Sequence, residues 1–260
     1  MKEENTVIQS VDRALLLLEY IASHPEEKLT LTELAEVMNL DKSSVFRILT
    51  TLFRHGLVRQ EEGKKVYRPG FGIFGLASSL YEQMKLPVVV SPFLREIARK
   101  TCENAHLAVR SGTQAVFIDR EQGTNRILTN TNIGDMEELY CTAVGKCLIC
   151  DYSPEGLDIL FNGRTLERFT DRTITDLDAL RAELQDVKTK GYAVDMEEFE
   201  PRVVCLACPI KNYQGKIVAA IGISGPTDRG LPDLDRNIGI VREAADAINS
   251  LLAGGTEAIG

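Results

Sequence analysis

Apolar residues at Val7, Val11, Ala14, Leu15, Leu18 and Ile21 recur at intervals of three and four, so the spacing predicts an amphipathic helix over Val7 to Ser23. His24-Pro25 stops it, because the residue before a proline is pushed out of the helical region. Thr30-Leu31-Thr32-Glu33 has the form of a capping box and opens a short second helix carrying Leu34, Ala35, Val37 and Met38. Asp41 then caps a third helix through Val45, Ile48, Leu49 and Leu52, which ends at Gly56 in the left-handed conformation. Two short helices joined by a few residues make a helix-turn-helix. Leu57 to Gln60 and Lys65 to Arg68 follow as two short strands around the polar turn Glu61-Glu62-Gly63-Lys64, which is the pattern of a wing.

Beyond the wing, Phe71, Phe74, Leu76, Leu80 and Met84 mark a connecting helix from Gly70 to Lys85, ending before Pro87. Ser91-Pro92 is expected to start the next helix, through Leu94, Ile97 and Ala98. Strands are expected at Ala105 to Arg110, Ala115 to Asp119, Ile127 to Thr131, Val203 to Ile210 and Ile217 to Ser224. Helices are expected at Ala143 to Cys150, Pro154 to Phe161, Asp176 to Lys190 and Leu234 to Leu252. Tight turns such as Asn212-Tyr213-Gln214-Gly215 favour an antiparallel sheet covered by helices over a doubly wound parallel one. The fold class is α+β, divided into a winged helix-turn-helix over residues 1–69, a linker helix over 70–88, a second domain over 89–253 and a flexible tail over 254–260.

Charge sharpens this division. The chain of 260 residues has a net charge of −8, which argues against nucleic-acid binding over its whole surface. Within Asp41 to Arg68, however, seven basic residues face three acidic ones, a local balance of +4. A helix entering the major groove must expose short polar and basic residues at its N-terminal end, where Lys42, Ser43, Ser44 and Arg47 fall. Thr32 on the second helix joins the DNA-contact set, and Arg59, Lys64, Lys65 and Arg68 on the wing supply phosphate contacts. The longest apolar runs, Ala14 to Leu18 and Lys216 to Ser224, fall far short of the roughly 18 to 20 residues that cross a bilayer, so no membrane partner is expected. The start Met1-Lys2-Glu3-Glu4-Asn5 is acidic and polar, unlike a secretory signal, and a cytoplasmic location with reduced cysteines is expected.

Both halves resemble the IclR family of bacterial transcriptional regulators. Leu139-Tyr140-Cys141-Thr142-Ala143-Val144-Gly145-Lys146-Cys147-Leu148 is similar to the family's L-H-x-T/S-A-x-G-K-A-x-L stretch. Gly191-Tyr192-Ala193-Val194-Asp195-Met196-Glu197-Glu198, followed by Pro201, Cys205, Pro209 and Ile221 to Pro226, is similar to its G-Y-A-x-D-x-E-E...C-x-A-x-P...S-x-S-G-P pattern. The resemblance implies a GAF-like effector-binding domain after the winged helix-turn-helix, and homodimers or dimers of dimers on a pseudo-palindromic double-stranded operator. It places a small organic effector against Thr129, Ala143, Val144, Asp195, Val203, Cys205, Gly222 and Ser224. No other cofactor is expected. A carboxylic acid or aromatic catabolite fits the reading, since helix N-H groups at Ala143 to Lys146 would favour an anion. Lys146 is expected to balance a neighbouring carboxylate. The chain departs from the family at Gly222, where Ser is frequent, at Tyr140, where His is usual, and at Lys211, where an aromatic is usual. Losing the hydroxyl at Gly222 implies a less polar ligand or one that needs the space.

Two other chemistries compete. Cys147-Leu148-Ile149-Cys150 and Cys205-Leu206-Ala207-Cys208 are both C-x-x-C, so a metal- or redox-sensing regulator is the alternative, with Cys141 a further candidate ligand. Against a zinc knuckle, the intervening pairs are apolar, and a strand over Val203 to Ile210 would point Cys205 and Cys208 to opposite faces. An enzyme is not expected: the sole histidine after residue 86 is His106, and no G-x-S-x-G, P-loop or G-x-G-x-x-G accompanies it. No catalytic or metal residue is therefore assigned.

Overall fold

The computed structural model describes residues 7–24, 27–61, 63–76, 85–126 and 129–254, which fall into two compact units, residues 1–84 and 85–260. The first unit holds α1 (Gln9–Ser23), α2 (Leu31–Val37), α3 (Lys42–Arg54), β1 (Val58–Gln60) and β2 (Tyr67–Pro69). Its core is Leu17, Ile21, Leu34, Ala35, Val45, Leu49, Leu52, Val58 and Tyr67. The expected capping box is present: the Thr30 N-H donates to Glu33 Oε2 at 2.6 Å, and the Glu33 N-H returns to Thr30 Oγ1 at 3.5 Å. Between α2 and α3 the corner residue Asn39 takes φ 48°, a left-handed value that asparagine tolerates. In the wing Val58 pairs with Pro69, Arg59 with Arg68 and Gln60 with Tyr67, so β2 begins two residues later than expected. Val66 instead bridges to Thr30, and the Tyr67 N-H donates to the Leu29 carbonyl at 2.8 Å.

The buried stripe of α1 matches the expected one only in part. Ile21 enters the core and Leu18 packs against it as expected, but Leu17 is buried with them, whereas Val7, Val11 and Leu15 are exposed. The run Ala14 to Leu18 puts apolar side chains on every side of the helix, so periodicity identified the helix but not which stripe is covered.

The expected connecting helix is helical at residues 72–76, residues 77–84 lie outside the described set, and 85–88 belong to α4 (Lys85–Thr101). Helix α4 runs through both Pro87 and Pro92 rather than stopping and restarting. Pro87 lies in its first turn, where no donor is needed, and Pro92 sits on the exposed side. Burial of Val90, Leu94, Ile97 and Ala98 on the other side, at about 1.5–3 kcal/mol for each large side chain, exceeds the roughly 3 kcal/mol an interior proline costs. The expected tail is outside the described residues from 255 onward.

The second unit is built on a six-stranded sheet in the order β5-β4-β3-β8-β7-β6, antiparallel at every pairing. Its strands are β3 (Asn104–Ser111), β4 (Gln114–Glu121), β5 (Met136–Glu138), β6 (Ala193–Met196), β7 (Val203–Lys211) and β8 (Ile217–Pro226). One face packs Leu107, Leu206, Cys208, Ile221 and Ile223 against α4 and α9 (Leu234–Gly254). The other packs Ala108, Phe117, Ala193, Ala207 and Ala220 beneath α5 (Ala143–Ile149), α6 (Pro154–Phe161) and α7 (Leu177–Lys190). A short turn of helix, α8 (Thr227–Gly230), follows β8.

The strand expected at Ile127 to Thr131 is not formed in its described part: residues 129–131 carry no ladder, and 127 and 128 lie outside the described set. The edge beside β4 is taken instead by β5, only three residues long and two-thirds acidic, too short to show an alternation. Helix α5 lies close to the chain before it. A Cβ on Gly145 would come 2.5 Å from both the Cα and the carbonyl oxygen of Leu139, so the glycine of the G-K pair is required by backbone approach.

Candidate functional site

The first candidate surface is the start of α3. The Asp41 carboxylate accepts the Ser44 N-H at 2.9 Å, the Ser43 hydroxyl at 2.5 Å and the Ser44 hydroxyl at 2.7 Å. The Ser43 hydroxyl, with Ser44 beside it, holds the Asp41 carboxyl well below the usual carboxylate range. Both serine hydrogens being committed, the hydroxyl oxygens have only acceptor lone pairs left to offer, suited to an adenine or cytosine amino group. Lys42, Ser43, Phe46, Arg47 and Thr50 are exposed along α3, and Thr32 is exposed in the first turn of α2.

The wing presents Lys64 and Lys65 to solvent, with Lys64 Nζ 3.7 Å from Glu61. An exposed pair of this kind contributes only ~0–1 kcal/mol and yields readily to a phosphate. Arg59 lies over the Phe71 ring at 5.7 Å from its centroid. Arg68 is differently employed from its three companions: its guanidinium donates to the Glu27 carbonyl at 2.6 Å and lies 4.0 Å from Glu61. It ties the wing to the segment before α2, a tertiary task that charge counting does not reveal.

The second candidate site lies on the sheet face under α5. Cross-strand register places Asp195 beside Cys205, Cys205 beside Ser224, and Ser224 beside Asn104, a polar row across β6, β7, β8 and β3. Thr129 is clamped above it: its hydroxyl is 2.5 Å from the Ser224 hydroxyl, and its carbonyl accepts from Asn104 Nδ2 at 2.7 Å. Asp195, Ser224 and Asn104 are buried, whereas Cys205 keeps some accessible surface. The next row is Ala193, Ala207, Gly222, His106 and Arg120. His106 is 3% exposed, meets Phe117 edge to face at 5.1 Å, and its Nδ1 has no hydrogen-bond partner among the described residues. Burial lowers its pKa to about 4, so the ring is neutral. Sequence reasoning considered His106 only as a catalytic base. Its two-residue offset from core-facing Ala108 was the available signal that it lines the same face.

Asp195 accepts the Glu198 N-H at 2.7 Å, yet burial raises its carboxyl to about 7. Glu137 also rises to about 7, through burial and then the Asp195 charge. The fully buried Lys146 ammonium donates to Glu198 at 2.5 Å, Glu183 at 3.0 Å and the Val194 carbonyl at 3.3 Å. Burial alone would lower the Lys146 pKa, but the two carboxylates raise it. Lys146 therefore balances acids and does not reach the row, as its sequence context suggested.

Ala143 and Val144 are buried in the first turn of α5, and Val203, half-buried, pairs with Pro226 two residues beyond the Cys205–Ser224 pair. Two expectations are corrected here. At the α5 start the Thr142 hydroxyl accepts the Gly145 N-H at 3.2 Å, the helix is only seven residues long, and Asp195 and Glu137 face the same space, so no positive seat for an anion is built. At Gly222 a Cβ would come 2.4 Å from the Leu206 carbonyl oxygen. Strand packing occupies that volume, and the glycine adds no room for a ligand.

The cysteine chemistry is equally constrained. All six cysteines are free, and Cys208 lies in the α4–α9 core while Cys205 packs toward the opposite one. Burial pushes the thiols of Cys147 and Cys205 well above their usual range, Cys150 to about 11 and Cys208 to about 12. Metal binding and nucleophilic redox chemistry need thiolates. Among the described residues no group of three or more His, Cys, Asp or Glu is placed to hold a metal ion. Nor, among them, is any helix long and apolar enough to cross a membrane.

Comparison with known proteins matches residues 79–250 to the family described as the bacterial transcriptional regulator IclR C-terminal domain, and residues 10–62 to the IclR helix-turn-helix domain. The HTH-type transcriptional regulator XynR of Escherichia coli K12 is 30% identical over 223 residues, covering 86% of this chain and 88% of that protein. The crystal structure of the Thermotoga maritima IclR aligns with a TM-score of 0.77 at 27% identity over 95% of this chain and 100% of that one. An IclR homologue from Microbacterium hydrocarbonoxydans, crystallised with 4-hydroxybenzoate, shares the fold at a TM-score of 0.79 and 20% identity, covering 94% and 98% of the two chains.

Proposed function

The chain belongs to the IclR family of DNA-binding transcriptional regulators, which carry an effector-binding C-terminal domain, and from that premise we propose how its two surfaces are used. Lys42, Ser43, Ser44 and Arg47 read base edges of a pseudo-palindromic operator, with Thr32, Arg59, Lys64 and Lys65 on phosphates. Arg68 adds a phosphate contact through the part of its guanidinium not held by Glu27. The protein acts in the cytoplasm as a homodimer or dimer of dimers, whose twofold symmetry matches the operator's. Its relatives are named regulators and repressors, which supports a non-enzymatic role.

The effector is a small carboxylic acid or aromatic catabolite held over the row of Asp195, Cys205 and Ser224, beneath Thr129 and against Ala143, Val144 and Val203. The observation that carries this reading is the Nδ1 of buried His106 beside that row, a polar atom with no hydrogen-bond partner among the described residues, which a bound ligand would satisfy. The fold accommodates an aromatic acid, as the 4-hydroxybenzoate complex of the Microbacterium protein illustrates. Because Asp195 and Glu137 titrate near 7, an anionic acid enters with a proton shared between its carboxylate and theirs. Effector binding alters operator affinity only by the difference between its affinities for the DNA-competent and DNA-incompetent arrangements.

The test is calorimetric titration with a panel of small organic and aromatic acids at pH 6 and pH 8, followed by operator titration with each binder. Tighter acid binding at pH 6 and a shifted operator affinity are expected. Loss of binding in Asp195→Ala supports the site, and unchanged affinity removes Asp195 from it.

A further inference from the structure

We propose that Phe46 reads the C5-methyl group of a thymine in the major groove, an inference that rests on α3 being the reading helix. Phe46 is 54% exposed on α3, one residue before Arg47 and four before Thr50. A single exposed apolar side chain needs no explanation in general. Here its neighbours give it one. The hydroxyl hydrogens of Ser43 and Ser44 are committed to Asp41, and the Thr50 hydroxyl donates to the Phe46 carbonyl at 2.7 Å. Thr51 is likewise turned back on the Arg47 carbonyl at 2.9 Å. Among the described residues, side-chain donors free to meet a base edge in the N-terminal half of α3 are thus reduced to Lys42 and Arg47. A helix so short of donors distinguishes A·T from G·C pairs by apolar contact, and the thymine methyl is the apolar group the major groove offers. Cα atoms of Phe46 and Arg47 lie about 3.8 Å apart and base pairs about 3.4 Å, so the thymine falls within about two base pairs of whichever base Arg47 reads.

Phe53, 56% exposed on the same helix, is the internal control. It lies seven residues further on, roughly 10 Å along the axis, beyond the N-terminal residues that approach base edges.

The experiment selects a duplex from a random-core library with the full-length protein, then replaces each thymine singly by deoxyuridine, which lacks only the methyl group. Affinities are read for the unmodified protein, Phe46→Ala, Phe46→Leu and Phe53→Ala. At one or two positions per half-site the replacement should weaken the unmodified protein roughly fourfold, about 0.8 kcal/mol for one buried methyl. Phe46→Ala should be indifferent to the replacement there, Phe46→Leu should keep part of the loss, and Phe53→Ala should keep all of it. The inference is overturned if the unmodified protein ignores every replacement, if Phe46→Ala shows the same loss, or if Phe46→Ala changes the oligomeric state by light scattering and not the methyl dependence. If no duplex is enriched over random DNA, α3 is not the reading helix, and that more basic failure is seen at the selection step.

Discussion

At α3 the residues suited to DNA lie between Lys42 and Thr50 on one helix, exposed, and their side-chain hydrogen bonds close within four residues of chain. On the sheet, Thr129 and Ser224 bond across 95 positions, and Asp195, Cys205 and Asn104 join the same row from three further strands. The first surface is held by local geometry and stays in water, where ionised groups keep their charge. The second is assembled by tertiary register and loses its water, so burial raises two carboxyls to about 7 and lowers an imidazole to about 4. A local, solvated surface tolerates substitution without unfolding and is altered in specificity. A buried, long-range one couples any change of charge to stability.

The largest contrast is expected at Lys146. Lys146→Met leaves Glu198 buried without its partner and should cost ~3–5 kcal/mol in denaturant unfolding of the second unit, with Lys146→Met/Glu198→Met recovering much of it. A small effect in the single variant would show that this cluster is wetter than its burial suggests. On the local surface, Arg47→Ala should leave the thermal midpoint unchanged while removing about 1–3 kcal/mol of discrimination between selected and random duplexes. Equal loss on both would place Arg47 on phosphate. Lys64→Ala with Lys65→Ala should weaken binding to every sequence and reduce the slope of log affinity against log salt by roughly one per contact. An unaltered slope would take the wing off the DNA.

The smallest effect is a change of pH slope. Asp195 keeps its proton in the folded chain up to about 7, whereas an unfolded carboxyl releases it near 3.8. Its contribution to stability is therefore full below about pH 4 and is lost as pH rises through 7. His106 acts in the opposite sense: its folded value of about 4 lies below the usual 6.5, so its contribution is present above 6.5 and lost as pH falls through 4. Asp195→Asn should remove its share of the stability lost as pH rises from 4 to 7, so that the His106 contribution, which grows over the same interval, is no longer offset by it. Identical pH profiles for the two proteins would mean that Asp195 is solvated and not part of a buried row.

What could be read without tertiary structure follows from these distances. The capping box at Thr30 and Glu33, the Asp41 cap, the left-handed Gly56 and the wing turn are signals a few residues long, and they appear where the pattern puts them. Long strands such as β3, β7 and β8 were legible as apolar runs bounded by turn residues. The three-residue β5 and four-residue β6 were not, because neither is long enough to establish a period and both owe their existence to the neighbouring strand. Pro92 misled in the same way: its local cost is real, but four buried side chains on the far side of α4 outweigh it. The proposed effector residues were reachable only through resemblance, since nothing in their spacing announces that Asp195, Cys205 and Ser224 form one row.

The sequence by itself determined the α+β class, the helix-turn-helix with its wing, the position of the basic cluster and the helix α5 that carries the glycine-lysine pair, because each depends on backbone preference or charge within a few residues. Tertiary structure alone decided which stripe of α1 is covered, that Arg68 spends part of its guanidinium on Glu27, that Gly222 makes room for a strand and not a ligand, and that a neutral His106 lies beside the row with a nitrogen unpartnered among the described residues. These depend on which distant groups arrive beside a residue and how much water they displace, and neither quantity is a property of the residue's neighbours along the chain.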